Sequence, residues 1–135
     1  MTENGRATMP NVFPILIYRD VPAAIEWLLS GFGFEKRLVV TRPDGTIGHV
    51  ELGLGAGAIM LGAANGEPGA GGPPDGGTVY VTIDDVDAHC KRARAAGADI
   101  LKEPYDTDYN SREYTVGDPE GRVWTFGTYL PGVDV

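Results

Sequence analysis

The chain is poor in cysteine, in histidine and in positive charge. Cys90 is the single cysteine among 135 residues. That excludes an intrachain disulfide and a cysteine-rich zinc site. Only 11 Lys and Arg stand against 19 Asp and Glu, for a net charge of −8. A basic face for nucleic acid is therefore not expected. An acidic surface suits a cationic ligand, although it also serves solubility alone. No apolar run approaches the ~20 residues that span a bilayer, so no membrane association is expected. The first residues lack a basic region followed by an apolar stretch, so no signal peptide is read there. A cytoplasmic location is the expectation.

What is present is enough for one domain with a real core, since 42% of residues are hydrophobic. Residues 1–10 are polar and read as a flexible N-terminus. Phe13 to Arg19 reads as a buried strand. Asp20 then caps a helix with Pro22 in its first turn, and Gly31 and Gly33 end it. Strands follow at Phe34 to Val40, His49 to Leu54 and Ala58 to Gly62. The stretch 63–77 is rich in Gly, Pro, Ala and Asn and carries neither glycine-rich phosphate-binding pattern, so it reads as a linker.

The pattern then returns. Thr78 to Ile83 reads as a strand, and Asp84 or Asp85 caps a helix to about Ala96. A short strand spans Ile100 to Glu103, and a polar-aromatic loop covers Pro104 to Asn110. Asp20-Val21 and Asp85-Val86 each end a strand and open a helix, so the chain is an internal repeat. The expected fold class is α+β, with two βαβββ modules at 11–62 and 78–131 around the linker. Each module is expected to be a curled mixed sheet with a helix on its outer face.

The most specific stretch is Ser111 to Phe126, SREYTVGDPEGRVWTF. It reads as two strands joined by the turn Asp118-Pro119-Glu120-Gly121, with proline and glycine at turn-favoured positions. The order R-E-aromatic-x-V-x-D-P-E-G, followed by an aromatic-rich strand, resembles the closing hairpin of bleomycin-resistance proteins. These lie within the glyoxalase/bleomycin-resistance/dioxygenase (vicinal oxygen chelate) superfamily. The resemblance covers about residues 12–130. It implies that the two modules form a cup-shaped cavity, often between the subunits of a dimer. A homodimer is therefore the expected partner besides a small-molecule ligand.

Alternation along the strands assigns side chains to the cup. Ile15 and Ile17 join Phe13 there, and His49 and Glu51 face the first cup together with Ile59 and Leu61. Tyr80, Glu113, Thr115, Val123 and Thr125 face the second. Leu16, Tyr18, Val50, Leu52, Trp124 and Phe126 go to the helix side. His49, Glu51 and Glu113 are the candidate acid/base or anchoring groups, against a plain reading as satisfied polar residues at a strand edge or dimer interface. His89 reads as solvated and Cys90 as packed. Tyr105, Tyr109 and Trp27 are further candidate walls, and Arg112 is expected to pair with an acidic residue of its loop.

Metal-dependent members of the superfamily place His or Glu at four cup positions. By the resemblance these fall at about Phe13, Leu61, Thr78 and Thr125, none of which is a competent ligand. The expectation is no metal and no cofactor. The favoured reading is a metal-free binding protein of the bleomycin-resistance type, serving antibiotic resistance by sequestering a flat or cationic compound. The alternative is an enzyme of the same superfamily, a lyase or isomerase, with His49 and Glu51 as acid/base or displaced metal ligands. A dimeric scaffold without ligand is a third reading.

Overall fold

The computed structural model describes residues 12–63 and 78–131. The expected flexible segment 1–10 and all but the first residue of the linker 63–77 lie outside the described residues. Among the described residues, two four-stranded sheets account for the strands. The first orders β1 (Ile15–Tyr18), β4 (Gly57–Ala63), β3 (Ile47–Leu54) and β2 (Glu35–Thr41) from edge to edge. The second repeats that order with β5 (Thr78–Thr82), β8 (Val123–Gly127), β7 (Arg112–Gly117) and β6 (Asp99–Asp106). In each sheet the opening strand runs parallel to the closing one and the other pairs are antiparallel. A parallel pair needs a crossover, and a helix supplies it in both modules. The architecture is the expected α+β pair of βαβββ modules, without a closed barrel.

The repeated Asp-Val step works through capping. The Asp20 carboxylate accepts the Ala23 N–H at 3.0 Å to open α1 (Val21–Trp27), and Asp85 accepts that of Ala88 at 3.0 Å to open α2 (Val86–Ala95). Each satisfies a backbone donor that has no partner within the helix. Beyond Trp27 the first helix widens into a π-helical turn, Leu28–Phe32. It stops at Gly33, whose φ of 87° is left-handed and favours glycine. No helix among the described residues is long and apolar enough to cross a membrane.

The expected loop from Pro104 begins too early, because β6 continues to Asp106. β6 is an edge strand with register shifts on either side of Lys102. An edge strand can leave one ladder position unpaired, so it tolerates a proline.

The helix-side residues of both sheets share one core. Phe32, at the end of the π turn, meets Trp124 and Phe126 of the other module with ring centroids 5.1 and 4.8 Å apart. Val50, Leu52, Tyr114, Val116, Trp124 and Phe126 are all fully buried, as alternation predicts. Ile59 and Leu61 correct the expectation that they line the cup. Leu52 pairs with Ile59 and Val50 with Leu61. Directly opposed residues of an antiparallel pair share a face, so both belong to the core, each 5% exposed. Ala58 and Met60 take the cup side instead.

The hairpin turn locks the modules together. Glu120 accepts the N–H groups of Arg19 and Asp20 at 2.7 and 2.9 Å, just where the first strand gives way to α1. Arg122 donates from Nη2 to the Ile17 carbonyl at 2.9 Å. Asp118 accepts the Tyr18 hydroxyl at 2.6 Å and the Trp124 indole N–H at 3.0 Å. Cys90 is buried, as expected, and burial pushes its thiol up.

His89 is not solvated. Its Nε2 lies 2.9 Å from the Phe32 carbonyl and its Nδ1 2.6 Å from the Tyr114 hydroxyl. The carbonyl can only accept, so Nε2 carries the proton and Nδ1 accepts from the phenol. The ring also packs against Phe126, 4.1 Å between centroids. Burial holds its pKa below the ordinary 6.5, and the nearby Arg92 charge lowers it further, against the opposing hydrogen bond to Phe32. The unfolded chain therefore binds this proton first. This contribution to stability is complete above the ordinary imidazole pKa and is lost as pH falls from it towards the depressed folded value. Urea midpoints should fall between about pH 7 and pH 5. His89→Gln should flatten that part of the profile. An unchanged slope in the variant would remove His89 from the explanation.

Candidate functional site

Because the helix-side faces share the core, each sheet turns its other face outward, and each outward face carries a different chemistry. On the first sheet, His49 and Glu51 stand two residues apart on β3 with Nε2 to Oε2 at 2.8 Å. Both side chains are 41% exposed. The register places Val40 opposite His49, and Leu38 and Met60 opposite Glu51. Ile15, across from Met60, is 62% exposed, and Leu38 and Val40 are exposed too. Ile17 on the same face is buried. This surface is an apolar shelf with one hydrogen-bonded acid–imidazole pair. A recess of about 150 Å³ lies beside it, against Phe13, Glu51 and Met60.

On the second sheet, the outward face has a buried carboxylate beneath rings. Glu113 is 5% exposed. Its Oε2 accepts the Ser111 hydroxyl at 3.0 Å and the Tyr109 hydroxyl at 2.9 Å. That hydrogen bond, more than burial, pushes the Tyr109 phenol up to about 12. Tyr80 donates to the Tyr129 carbonyl at 2.6 Å, and Thr82 donates to the same oxygen at 2.7 Å. The Tyr129 N–H donates to Ser111 Oγ at 3.1 Å, so the segment after β8 is pinned at both ends of one residue. Tyr109 and Tyr129 meet edge to face with centroids 5.9 Å apart. Tyr80, Tyr109, Glu113, Tyr129 and Pro131 together line an open cup of about 480 Å³. Along the same face, Thr125 lies beside Tyr80 and Val123 beside Thr78, and the Thr115 and Thr125 hydroxyls are 3.3 Å apart.

The structure thus separates what the sequence grouped. His49 and Glu51 form a pair, but Glu113 lies on the other sheet with partners of its own. Ile15 and Ile17 stay with His49 and Glu51, whereas Tyr80, Val123 and Thr125 stay with Glu113. Trp27 lies outside both cups and lines the cavity between α1 and the hairpin turn; its indole N–H donates to the Ala96 carbonyl at 3.1 Å and its ring packs edge-on to Phe32. Tyr105 lies under the Lys102 ammonium, 3.9 Å from ring centroid to Nζ. Arg112 is held by Asp106, the last residue of β6, and by both oxygens of Asp87. Tyr129 was invisible to strand alternation because it follows the last strand. Only its tertiary contacts mark it.

The superfamily's metal positions can be tested on the donors present. Phe13, Thr78 and Thr125 offer a ring and two hydroxyls, and Leu61 points into the core. Among the described residues, no group of three or more His, Cys, Asp and Glu side chains could hold a metal ion. The donor set does not fit a divalent metal in the cup.

Two further cavities lie elsewhere among the described residues. One of about 160 Å³ lies between α1 and the hairpin turn, where Tyr18 and Asp118 already satisfy each other. The other, about 420 Å³, separates the β3–β4 turn from the free edge of β5.

Comparison with known proteins matches this geometry to a family. The chain is 36% identical to TioX from Micromonospora sp. ML1, whose crystal structure superposes with a TM-score of 0.75 over 89% of this chain and all of that one. A superfamily member from Sphaerobacter thermophilus shares the fold at 22% identity and a TM-score of 0.71, over 88% of this chain and 97% of its own. An uncharacterized protein of Mycobacterium bovis is 30% identical over 87% of this chain and 82% of its own length. The family model that matches residues 11–126 is that of the Glyoxalase/Bleomycin resistance protein/Dioxygenase superfamily, and the chain belongs to it.

Proposed function

We propose that the protein is a metal-independent small-molecule-binding member of its superfamily, of the bleomycin-resistance type. It sequesters a flat or cationic compound in the cup of the second module without changing it, and so serves resistance to that compound in the cytoplasm. The observation that carries this reading is Glu113, buried under Tyr80, Tyr109 and Tyr129. Such a cup is a mostly apolar hollow with one oriented polar group, the usual chemistry of a small-molecule site.

The exposed apolar shelf of the first sheet supports a homodimer in which the shelf of one copy covers the cup of the other. Ile15, Leu38 and Val40 would then leave water. Sedimentation at micromolar concentration should give a dimer, and a monomer there would remove the cover. The His49–Glu51 pair favours a second reading, proton transfer on a small organic substrate. It is half-exposed and already hydrogen-bonded, as a catalytic pair would be.

A thermal-shift screen of flat antibiotics on chelator-treated protein tests the first reading, since a ligand that binds only the native state raises the melting temperature. For a hit, Tyr80→Ala should weaken binding by roughly tenfold or more, because stacking and area are lost together. Unchanged affinity in calorimetry would place the ligand elsewhere. Turnover of a hit that stops in His49→Ala would favour the enzyme.

A further inference from the structure

We infer that the cup of the second module recognises a protonated amine, with Glu113 as counter-ion, and that Tyr109 is a lid whose hydroxyl holds the carboxylate until the amine displaces it. The inference rests on the small-molecule reading of that cup and adds the charge of the group bound there.

Among the described ion pairs none supplies a counter-charge to Glu113. A carboxylate at 5% exposure needs compensation. The neighbouring Arg112 is committed to Asp87 and Asp106. Two neutral hydroxyls are what the described residues supply, and both fall on Oε2. An ammonium group offers both the missing charge and further N–H donors.

The surroundings fit the same group. Aromatic faces attract cations, and the attraction grows when the pair is removed from water. The Tyr80 ring is fixed by its hydroxyl, and the Tyr129 main chain is held on both sides, so the Tyr80 ring is placed before a ligand arrives. Gly127 makes the approach of Tyr80 to the carboxylate possible. A Cβ at that position would lie 2.7 Å from both Glu113 Cγ and the Tyr80 hydroxyl.

Tyr109 differs from the other two. It is 54% exposed and precedes Asn110, whose φ of 64° turns the chain sharply into β7. Its ring is held by the hydroxyl on Glu113 and by an edge contact with Tyr129. A donor entering the cup competes with its hydroxyl for Oε2.

Two probes of one shape separate charge from stacking. Naphthylmethylamine is protonated at neutral pH, and naphthylmethanol is its neutral counterpart. Binding of each is measured by calorimetry to the full chain. The amine should bind about tenfold more tightly or better. Glu113→Gln, with its fold checked by a thermal melt, should bring the two within about twofold. Tyr109→Phe keeps the ring and frees the carboxylate, so it should tighten the amine a few-fold and leave the alcohol unchanged. Equal binding of the probes to the unaltered protein would overturn the amine site and leave the small-molecule cup standing. Weaker amine binding in Tyr109→Phe would overturn the lid. Binding of neither probe would count against the cup itself.

Discussion

Asp118→Ala is expected to destabilise the protein by about 3–5 kcal/mol, because four buried or partly buried donors lose their acceptor at once. Oδ2 accepts from the Tyr18 hydroxyl and the Trp124 indole, and Oδ1 accepts the main-chain N–H groups of Glu120 and Arg122 at 3.0 and 3.1 Å. Tyr18 and Trp124 are 1% and 0% exposed, so their donors lose a buried acceptor. Burial and the adjacent Asp118 charge raise the Tyr18 phenol well above its ordinary range, so it remains a donor at all working pH values. The loss is also one of register between modules. Tyr18 belongs to the first strand, Trp124 to the last, and the turn that holds Asp118 also holds Arg19 and Asp20 through Glu120. Urea unfolding should show a lower midpoint with little change in slope. Asp118→Asn keeps one acceptor oxygen and should cost less. A loss under about 1 kcal/mol in Asp118→Ala would mean that the hairpin does not hold the modules together.

Phe32→Ala should cost a similar amount, about 3–5 kcal/mol, for a different reason. Its ring is 1% exposed and touches Trp27, Trp124, Phe126 and His89. It is the apolar centre of the module seam. Truncation removes the buried area and leaves a cavity that rigid aromatic neighbours cannot fill. Phe32→Leu keeps most of the volume and should lose much less. Near-ultraviolet circular dichroism should weaken in the alanine variant, since Trp27 and Trp124 lose their packed partner. Equal destabilisation by leucine and alanine would point to the π turn's backbone rather than to the ring.

The sequence was legible where one physical rule acted alone. Asp20, and Asp84 or Asp85, announced two helices because a capping carboxylate belongs at a helix start; the structure selects Asp85 for the second. The faces of β3, β7 and β8 followed from alternation, since each sets polar against apolar residues. β4 was not legible in that way. Its residues are apolar or small throughout, so periodicity is silent and pairing with β3 decides that Ile59 and Leu61 face the core. Pro104 suggested a loop, but the edge position of β6 removed the penalty. His89 could have been found, since Val86, His89, Cys90 and Ala93 keep the spacing of one helix face. Its polarity hid it. The second cup was half legible. Tyr80 and Glu113 came from alternation and Tyr109 from its acidic loop. Tyr129 enters through contacts to Ser111, Tyr80 and Thr82 that no local pattern encodes.

The most direct test of the binding site is a crystal structure of the chelator-treated protein with a hit from the thermal-shift screen. The ligand should lie against Tyr80 and Tyr129, with its polar or charged end within hydrogen-bond distance of Glu113 and no metal between them. A ligand seated instead on His49 and Glu51, or in the cleft beside the free edge of β5, would contradict the assignment of function to the second cup.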